Sequence, residues 1–79
     1  MKYQSIPTVE QAKEDSFARI IWSASKKMKV YTRGNEFASG DMMGGAIAVN
    51  NPDEVIENCK FLNIEVFRER EDFSGFDKI

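Results

Sequence analysis

The sequence contains no histidine and only one cysteine, Cys59, among its 79 residues. A single cysteine excludes an intramolecular disulfide. Without histidine, the Cys/His zinc sites, the Cys–His nucleophile and the Ser–His–Asp triad are excluded as well. Most catalytic templates need one of these groups. We therefore expect a chain that is not an enzyme and that uses no cofactor and no metal site.

Long apolar runs are also missing. The longest stretch without a charged residue, 42–52, has 11 residues, about half of the ~20 that a membrane helix needs. The first 20 residues carry six charged side chains, which leaves no room for the apolar region of a secretory signal. Together with the lack of disulfides, these features predict a cytoplasmic protein that makes no membrane contact.

The composition nevertheless favours a packed core, because 42% of the residues are hydrophobic and 11% are aromatic. A chain this short builds one core at most. We expect one α+β domain over residues 1–70, followed by an acidic, aromatic tail over residues 71–79.

A first helix is predicted in the N-terminal third of the chain. Thr8 and Gln11 have the spacing of a capping box, so the helix should start near Val9. Apolar residues then recur at three- and four-residue spacing as far as Met28. In the alternative interpretation residues 18–24 form a strand, because Ile and Trp also suit a sheet. The longer periodicity favours the helix.

Three segments, 29–33, 46–49 and 64–70, have the pattern of strands. A helical crossover between the second and third would lay those two strands parallel in one sheet. The predicted fold is two helices packed on one face of a mixed sheet of three or four strands, in the order α-β-β-α-β.

The second helix has the clearest local signal. Asn51 is a capping residue, Pro52 suits the first turn, and Glu54 stands at the third helical position. Asn63 is expected to close the helix in a left-handed conformation. Cys59 lies on the apolar stripe of this helix, where a thiol acts as a small hydrophobic group.

The glycine-rich segment 33–45 is the natural place for a small-molecule site, and its part from 36 onward is predicted to be a loop. The glycines match neither the Walker A nor the dinucleotide-binding spacing. A long connection within a hairpin is the favoured interpretation of the segment, and the small-molecule site is the alternative. The candidate ligand-binding residues are Arg33, Asn35, Ser39 and Asp41.

Soft and aromatic side chains are the candidates for contact with a partner. They are Trp22, Tyr31, Met42, Met43, Phe73 and Phe76. In the tail, the two phenylalanines could cover a sheet edge or insert into another chain, and the sequence leaves both open. Basic residues flank Trp22 and Tyr31, but the acidic overall balance argues against nucleic acid.

Charge is distributed unevenly along the chain, with a net +4 over residues 1–35 and −6 over residues 36–79. Such a division favours a charged partner or association with a second copy. The leading hypothesis is a non-catalytic protein-interaction module, such as a small inhibitor or accessory protein of the phage-like kind that mobile elements encode, and we expect a homo-oligomer. The alternative is a binder of a nucleotide or other small anion that uses the segment 33–45.

Overall fold

A computed structural model of the chain describes residues 16–41 and 45–79. Within these ranges the chain forms two helices and one mixed sheet of five strands, which confirms the α+β class. The prediction of three or four strands was too low. In chain order the elements are α1 (Ser16–Lys27), β1 (Lys29–Arg33), β2 (Glu36–Ser39), β3 (Ile47–Ala48), α2 (Pro52–Phe61), β4 (Glu65–Glu69) and β5 (Phe76–Lys78).

Helix α1 confirms the helical interpretation of residues 18–24, and the strand alternative is wrong. The apolar side chains of α1 that recur at helical spacing are buried on its inner side; they are Phe17, Ala18, Ile20, Ile21 and Ala24. The basic residues Lys26 and Lys27 stand in the last turn, where they complement the helix dipole. The predicted capping box and start near Val9 lie outside the described residues.

A hairpin joins β1 and β2 where the sequence predicts a loop from residue 36 onward. The pair Arg33 and Glu36 closes a two-residue turn that begins at Gly34. Gly34 has a φ of 59°, a conformation that glycine adopts without steric cost. Phe37 is fully buried and anchors the second strand in the core. The loop prediction was wrong for residues 36–39 because a single large apolar residue between turn-forming neighbours gives a weak strand pattern.

The strands lie in the order β3-β2-β1-β4-β5. The central pair β1 and β4 is parallel, and each of the other neighbouring pairs is antiparallel. It follows that β3 and β4, which flank α2 in the chain, run parallel as the crossover predicts. Two further strands separate them in the sheet.

Helix α2 begins and ends close to the predicted residues. Its N-cap is Asn51, whose carbonyl oxygen accepts hydrogen bonds from the amides of Glu54 and Val55, although its side chain makes no capping bond. At the other end Asn63 is left-handed, with a φ of 61°. The amide of Ile64, two residues after the C-cap, donates to the carbonyl of Cys59 over 2.8 Å, which completes a Schellman motif.

The C-terminal segment is part of the sheet, a point that the sequence left open. Residues 76–78 form β5, which pairs with β4 and covers that strand's outer edge. The guanidinium of Arg70 holds the connecting turn to the strand, because its Nε donates to Asp77 Oδ1 over 2.9 Å. Ile79 then packs against the core.

The core lies between the two helices and one face of the sheet. Side chains alternate along each strand, so Val30, Phe37 and Val66 point toward the helices. Thr32 is also buried on this side, and its hydroxyl donates to the carbonyl of Gly34. Both described helices contribute to this core. The other face, which we call the open face, carries no described helix.

Candidate functional site on the open face of the sheet

Three aromatic rings form a cluster at the centre of the open face. Tyr31 of β1 and Phe67 of β4 are register partners on the two central strands, and their rings stack with centroids 5.2 Å apart. Phe76 of β5 meets the Tyr31 ring edge-on at 5.0 Å. These arrangements are the ones that aromatic quadrupoles prefer. Because Phe76 remains 42% exposed, this aromatic cluster presents a firmly held apolar surface to solvent.

Small side chains lie beside the aromatic cluster on β2 and β3. Ala38 is the register partner of Tyr31, and Ala48 stands opposite Glu36 on the same face. The step from large rings to small side chains leaves a depression of about 320 Å³ between Phe76 and Ala46. The open face therefore carries the protruding aromatic cluster beside a lower surface of small alanine side chains.

Charged residues border the open face where β1 ends. Arg33 and Glu69 form a two-pronged ion pair across β1 and β4, with Arg33 Nη2 3.2 Å from Glu69 Oε2. The hydrogen bond to Glu69 raises the pKa of Arg33 above its ordinary value. Glu36 is the register partner of Arg33 on β2, and its negative charge also contributes to the raised pKa of Arg33. This end of the open face carries a net charge of −1.

The end of the open face where β1 begins has the opposite sign. Lys78 Nζ lies 3.4 Å from Glu65 Oε2, so these two charges compensate each other. Lys29 is the register partner of Glu65, and it makes no ion pair within the described part of the chain. This end carries a net charge of +1. The open face is thus neutral overall, with an apolar centre between ends of opposite charge.

The turn between β4 and β5 adds an exposed aromatic side chain at the rim. Phe73 is 71% exposed and has a φ of 59°, which is unusual for a residue with a large side chain. Its ring lies 5.7 Å from Arg33 Cζ. Asp72 supports the turn, because its Oδ1 accepts a hydrogen bond from the amide of Ser74 over 3.0 Å. Hydrogen bonding from the side chain of Ser74, and then from its amide, lowers the pKa of Asp72.

The four predicted ligand-binding residues are distributed over both ends of the first hairpin. Arg33 and Asn35 lie at its turn, whereas Ser39 and Asp41 lie at or beyond the end of β2. Asn35 and Ser39 are four residues apart in extended chain, a separation of about 14 Å. Ser39 is buried on the helix side of the sheet, and Asp41 pairs with Lys27 over 2.9 Å. These four side chains do not converge on one point.

Two of the predicted partner-binding residues, Tyr31 and Phe76, are in direct contact in the aromatic cluster. Phe73 stands nearby, above Arg33. Trp22 is on α1, on the other side of the sheet, where Lys26 Nζ lies 3.8 Å from its ring centroid. Met42 and Met43 lie outside the described residues.

Phe67 was not among the residues that the sequence singled out. The alternation in 64–70 places it opposite in direction to the buried Val66, so this outward aromatic could have been noticed. Its stacking on Tyr31 could not have been predicted, because the sequence of either strand alone does not show that β1 pairs with β4.

The one cysteine of the sequence lies in the core. Cys59 is fully buried, and burial raises the pKa of its thiol to about 12. The described residues include no group of His, Cys, Asp and Glu side chains that could hold a metal ion. Neither α1 nor α2, the two helices described, is long and apolar enough to cross a membrane.

Three comparisons with known proteins gave no match. No protein-family model matches the chain. The curated proteins contain no match to it, and neither do the solved structures.

Proposed function

We propose that this chain is a non-catalytic protein-interaction module that binds another protein through the open face of its sheet. The observation that carries the proposal is the aromatic cluster of Tyr31, Phe67 and Phe76 on a face that neither α1 nor α2 covers. A module of this kind acts as an inhibitor or accessory protein by occupying a surface that its partner needs.

The chemistry of the open face favours a protein partner over a polyanion. Large aromatic side chains contribute most to interface energies, and they lose little conformational entropy when they are already packed. The cations Arg33 and Lys78 are neutralised by Glu69 and Glu65. A nucleic-acid backbone would have to displace those carboxylates, because its affinity depends on free Lys and Arg.

The test compares capture of partners by variants of exposed aromatic residues on opposite sides of the protein. Tyr31→Ser combined with Phe76→Ser removes most of the aromatic cluster, whereas Phe61→Ser alters α2, where Phe61 is 58% exposed. Affinity purification from cells that naturally produce the chain should recover a partner with the wild type and with Phe61→Ser. The double variant should lose it. Equal recovery by all three proteins would refute a role for the open face.

A small-ligand binder is the second candidate, and the depression beside the aromatic cluster favours it. Its volume of about 320 Å³ falls at the lower end of the range for small-molecule sites, roughly 300–1,000 Å³. Arg33, Tyr31 and Glu36 of the open face are among the residues that line it. An anion would compete with Glu69 for Arg33, so binding should weaken the ion pair between those residues.

A thermal-shift screen with nucleotides and inorganic phosphate distinguishes the two candidates, because a ligand that binds only the folded chain raises its melting temperature. A hit that is lost in Arg33→Gln and retained in Arg19→Gln, on α1, would favour the small-ligand binder. A screen without hits would eliminate it and leave the protein-interaction module.

A further inference from the structure

The turn between β4 and β5 presents a large aromatic side chain to solvent. Phe73 is 71% exposed, the highest fraction among the large hydrophobic residues that the structure describes. Single exposed apolar side chains are common on protein surfaces, so exposure alone assigns no role. The backbone, the shape of the turn and the surrounding charges add independent information.

The backbone at Phe73 carries a steric cost that contacts within the chain do not explain. Its φ of 59° is the left-handed conformation that glycine adopts freely and asparagine tolerates. The ring lies 5.7 Å from Arg33 Cζ, close to the ~6 Å limit of a cation–π contact, and that guanidinium is already bound by Glu69. Residues held in such a conformation are frequent at binding sites. The phenylalanine is therefore better explained by a contact outside the fold.

Hydrogen bonds hold the turn in one shape and so fix the position of the Phe73 ring. The amide of Phe73 donates to the carbonyl of Arg70 over 3.0 Å, and the amide of Arg70 donates to the carbonyl of Gly75 over 2.9 Å. The amide of Ser74 donates to Asp72 Oδ1. A side chain that is ordered before it binds loses little conformational entropy in a complex.

Two carboxylates stand directly before Phe73 in the turn. Glu71 and Asp72 are exposed, and neither belongs to a salt bridge among the described residues. Arg68 does not compensate them on the open face, because the alternation along β4 directs it to the helix side. The nearby cations are held in salt bridges within the chain, which are Arg33 with Glu69 and Arg70 with Asp77.

We infer that Phe73 anchors the interface with the partner protein by inserting into an apolar pocket whose rim carries Lys and Arg side chains. The inference rests on the proposed function, because it names the chemistry of the surface that meets the open face. The Phe73 ring stands beside Arg33, where β1 ends, and so extends the open face at its rim. Aromatic side chains in apolar pockets dominate interface energies. A basic rim complements Glu71 and Asp72.

The first test removes the ring and keeps the turn. The protein captured by the wild type is purified, and its affinity for each variant is measured by calorimetry. Phe73→Asn should weaken binding at least about tenfold, while urea denaturation should find the variant no less stable than the wild type, because asparagine tolerates the left-handed backbone. Phe61→Asn, at an exposed phenylalanine of α2, is the matched control and should leave the affinity unchanged. An unchanged affinity for Phe73→Asn would overturn the inference.

The charge of the rim is tested by reversal. Glu71→Lys should weaken binding at least about threefold and reduce its dependence on salt, because a charge at the edge of an interface acts through screened attraction. Glu57→Lys, at an exposed position of α2, should change neither quantity. Tighter binding by Glu71→Lys would show that the pocket has an acidic rim, which contradicts the proposed chemistry.

A probe of the same chemistry needs no partner. A β-cyclodextrin with an ammonium group on each sugar has an apolar cavity and a basic rim. In NMR titrations it should shift the ring signals of Phe73 and bind at least about threefold more tightly than neutral β-cyclodextrin. Phe73→Asn should abolish this preference and Phe61→Asn should keep it. Equal affinity for the two hosts would contradict an accessible ring in acidic surroundings.

The results also separate this inference from the proposed function. If Tyr31→Ser with Phe76→Ser abolishes capture while Phe73→Asn binds as tightly as the wild type, only the anchor fails. If Phe73→Asn loses the partner while the double variant retains it, the aromatic cluster fails and Phe73 remains the anchor. Failure of the wild type to capture any partner would refute both.

Discussion

Met28 and Asn63 are left-handed residues in two helix-to-strand connections, with φ values of 59° and 61°. Each follows a helix and precedes a strand of the parallel central pair. The backbone must reverse direction at both points, and a residue in the left-handed conformation reverses it with the fewest residues. Asparagine tolerates this conformation, whereas a methionine there carries a steric cost.

Replacing Met28 should therefore stabilise the protein. Met28→Gly removes the clash of Cβ with the backbone, and the side chain is 47% exposed, so little packing is lost. We expect a gain of about 0.5–1 kcal/mol in the free energy of unfolding, measured by urea denaturation. Asn63→Ala is the matched comparison and should destabilise by a similar amount. A Met28→Gly variant less stable than the wild type would show that the side chain contributes more by packing than the backbone loses by strain.

Local patterns predicted those elements whose signals lie in adjacent residues. The alternation in 29–33 and 64–70 and the cap at Asn51 all correspond to the observed β1, β4 and α2. The strand β2 was missed because Phe37 is its only large apolar residue. Burial of Phe37 depends on contacts with α1, which the local sequence does not encode.

The candidate site was predictable only in part for the same physical reason. Tyr31 and Phe76 could be singled out as exposed aromatic residues, but their contact depends on β5 returning beside β4. Phe67 becomes part of the aromatic cluster only because β1 and β4 pair in parallel. The four predicted ligand-binding residues do not lie together, because β2 is extended and its two ends are far apart.

Phe37→Ala tests whether β2 is a structural strand of the core. Phe37 is fully buried, so truncation leaves a cavity and should cost about 3–5 kcal/mol. A domain of this size has little stability beyond that amount. We expect a chain that is largely unfolded at 37 °C by circular dichroism. Phe61→Ala, on the exposed side of α2, should change the unfolding free energy by less than about 0.5 kcal/mol.

The buried thiol of Cys59 should make stability fall at alkaline pH. Its pKa is raised to about 12 by burial, whereas the unfolded chain ionises near pH 8.5. The folded state thus holds more protons between these values, and its stability decreases as pH rises through them, by up to about 1.4 kcal/mol per pH unit. Urea denaturation at pH 8 and pH 10 should show a smaller decrease for Cys59→Ala. Equal decreases in both proteins would contradict the assignment.

The ion pair between Arg70 and Asp77 should make the last hairpin sensitive to acid. Hydrogen bonding from Arg70 lowers the pKa of Asp77, so its contribution is present above the ordinary aspartate range and is lost as pH falls through the folded value. A carboxyl NMR titration of Asp77 should give a midpoint below the ordinary aspartate value. Arg70→Gln should return that midpoint to the ordinary range, while Lys60→Gln, at an exposed position of α2, should leave it low.

The parallel pairing of β1 with β4 has a kinetic consequence. Both hairpins, β1 with β2 and β4 with β5, join neighbours in the chain and can form early. The central ladder instead joins Lys29 to Glu65, and it must wait for closure of a loop that contains β2, β3 and α2. Non-local pairings of this kind slow folding. We therefore expect substitutions that weaken the pairing of β1 with β4 to slow refolding. Substitutions in β5, in the hairpin of β4 with β5, should mainly accelerate unfolding.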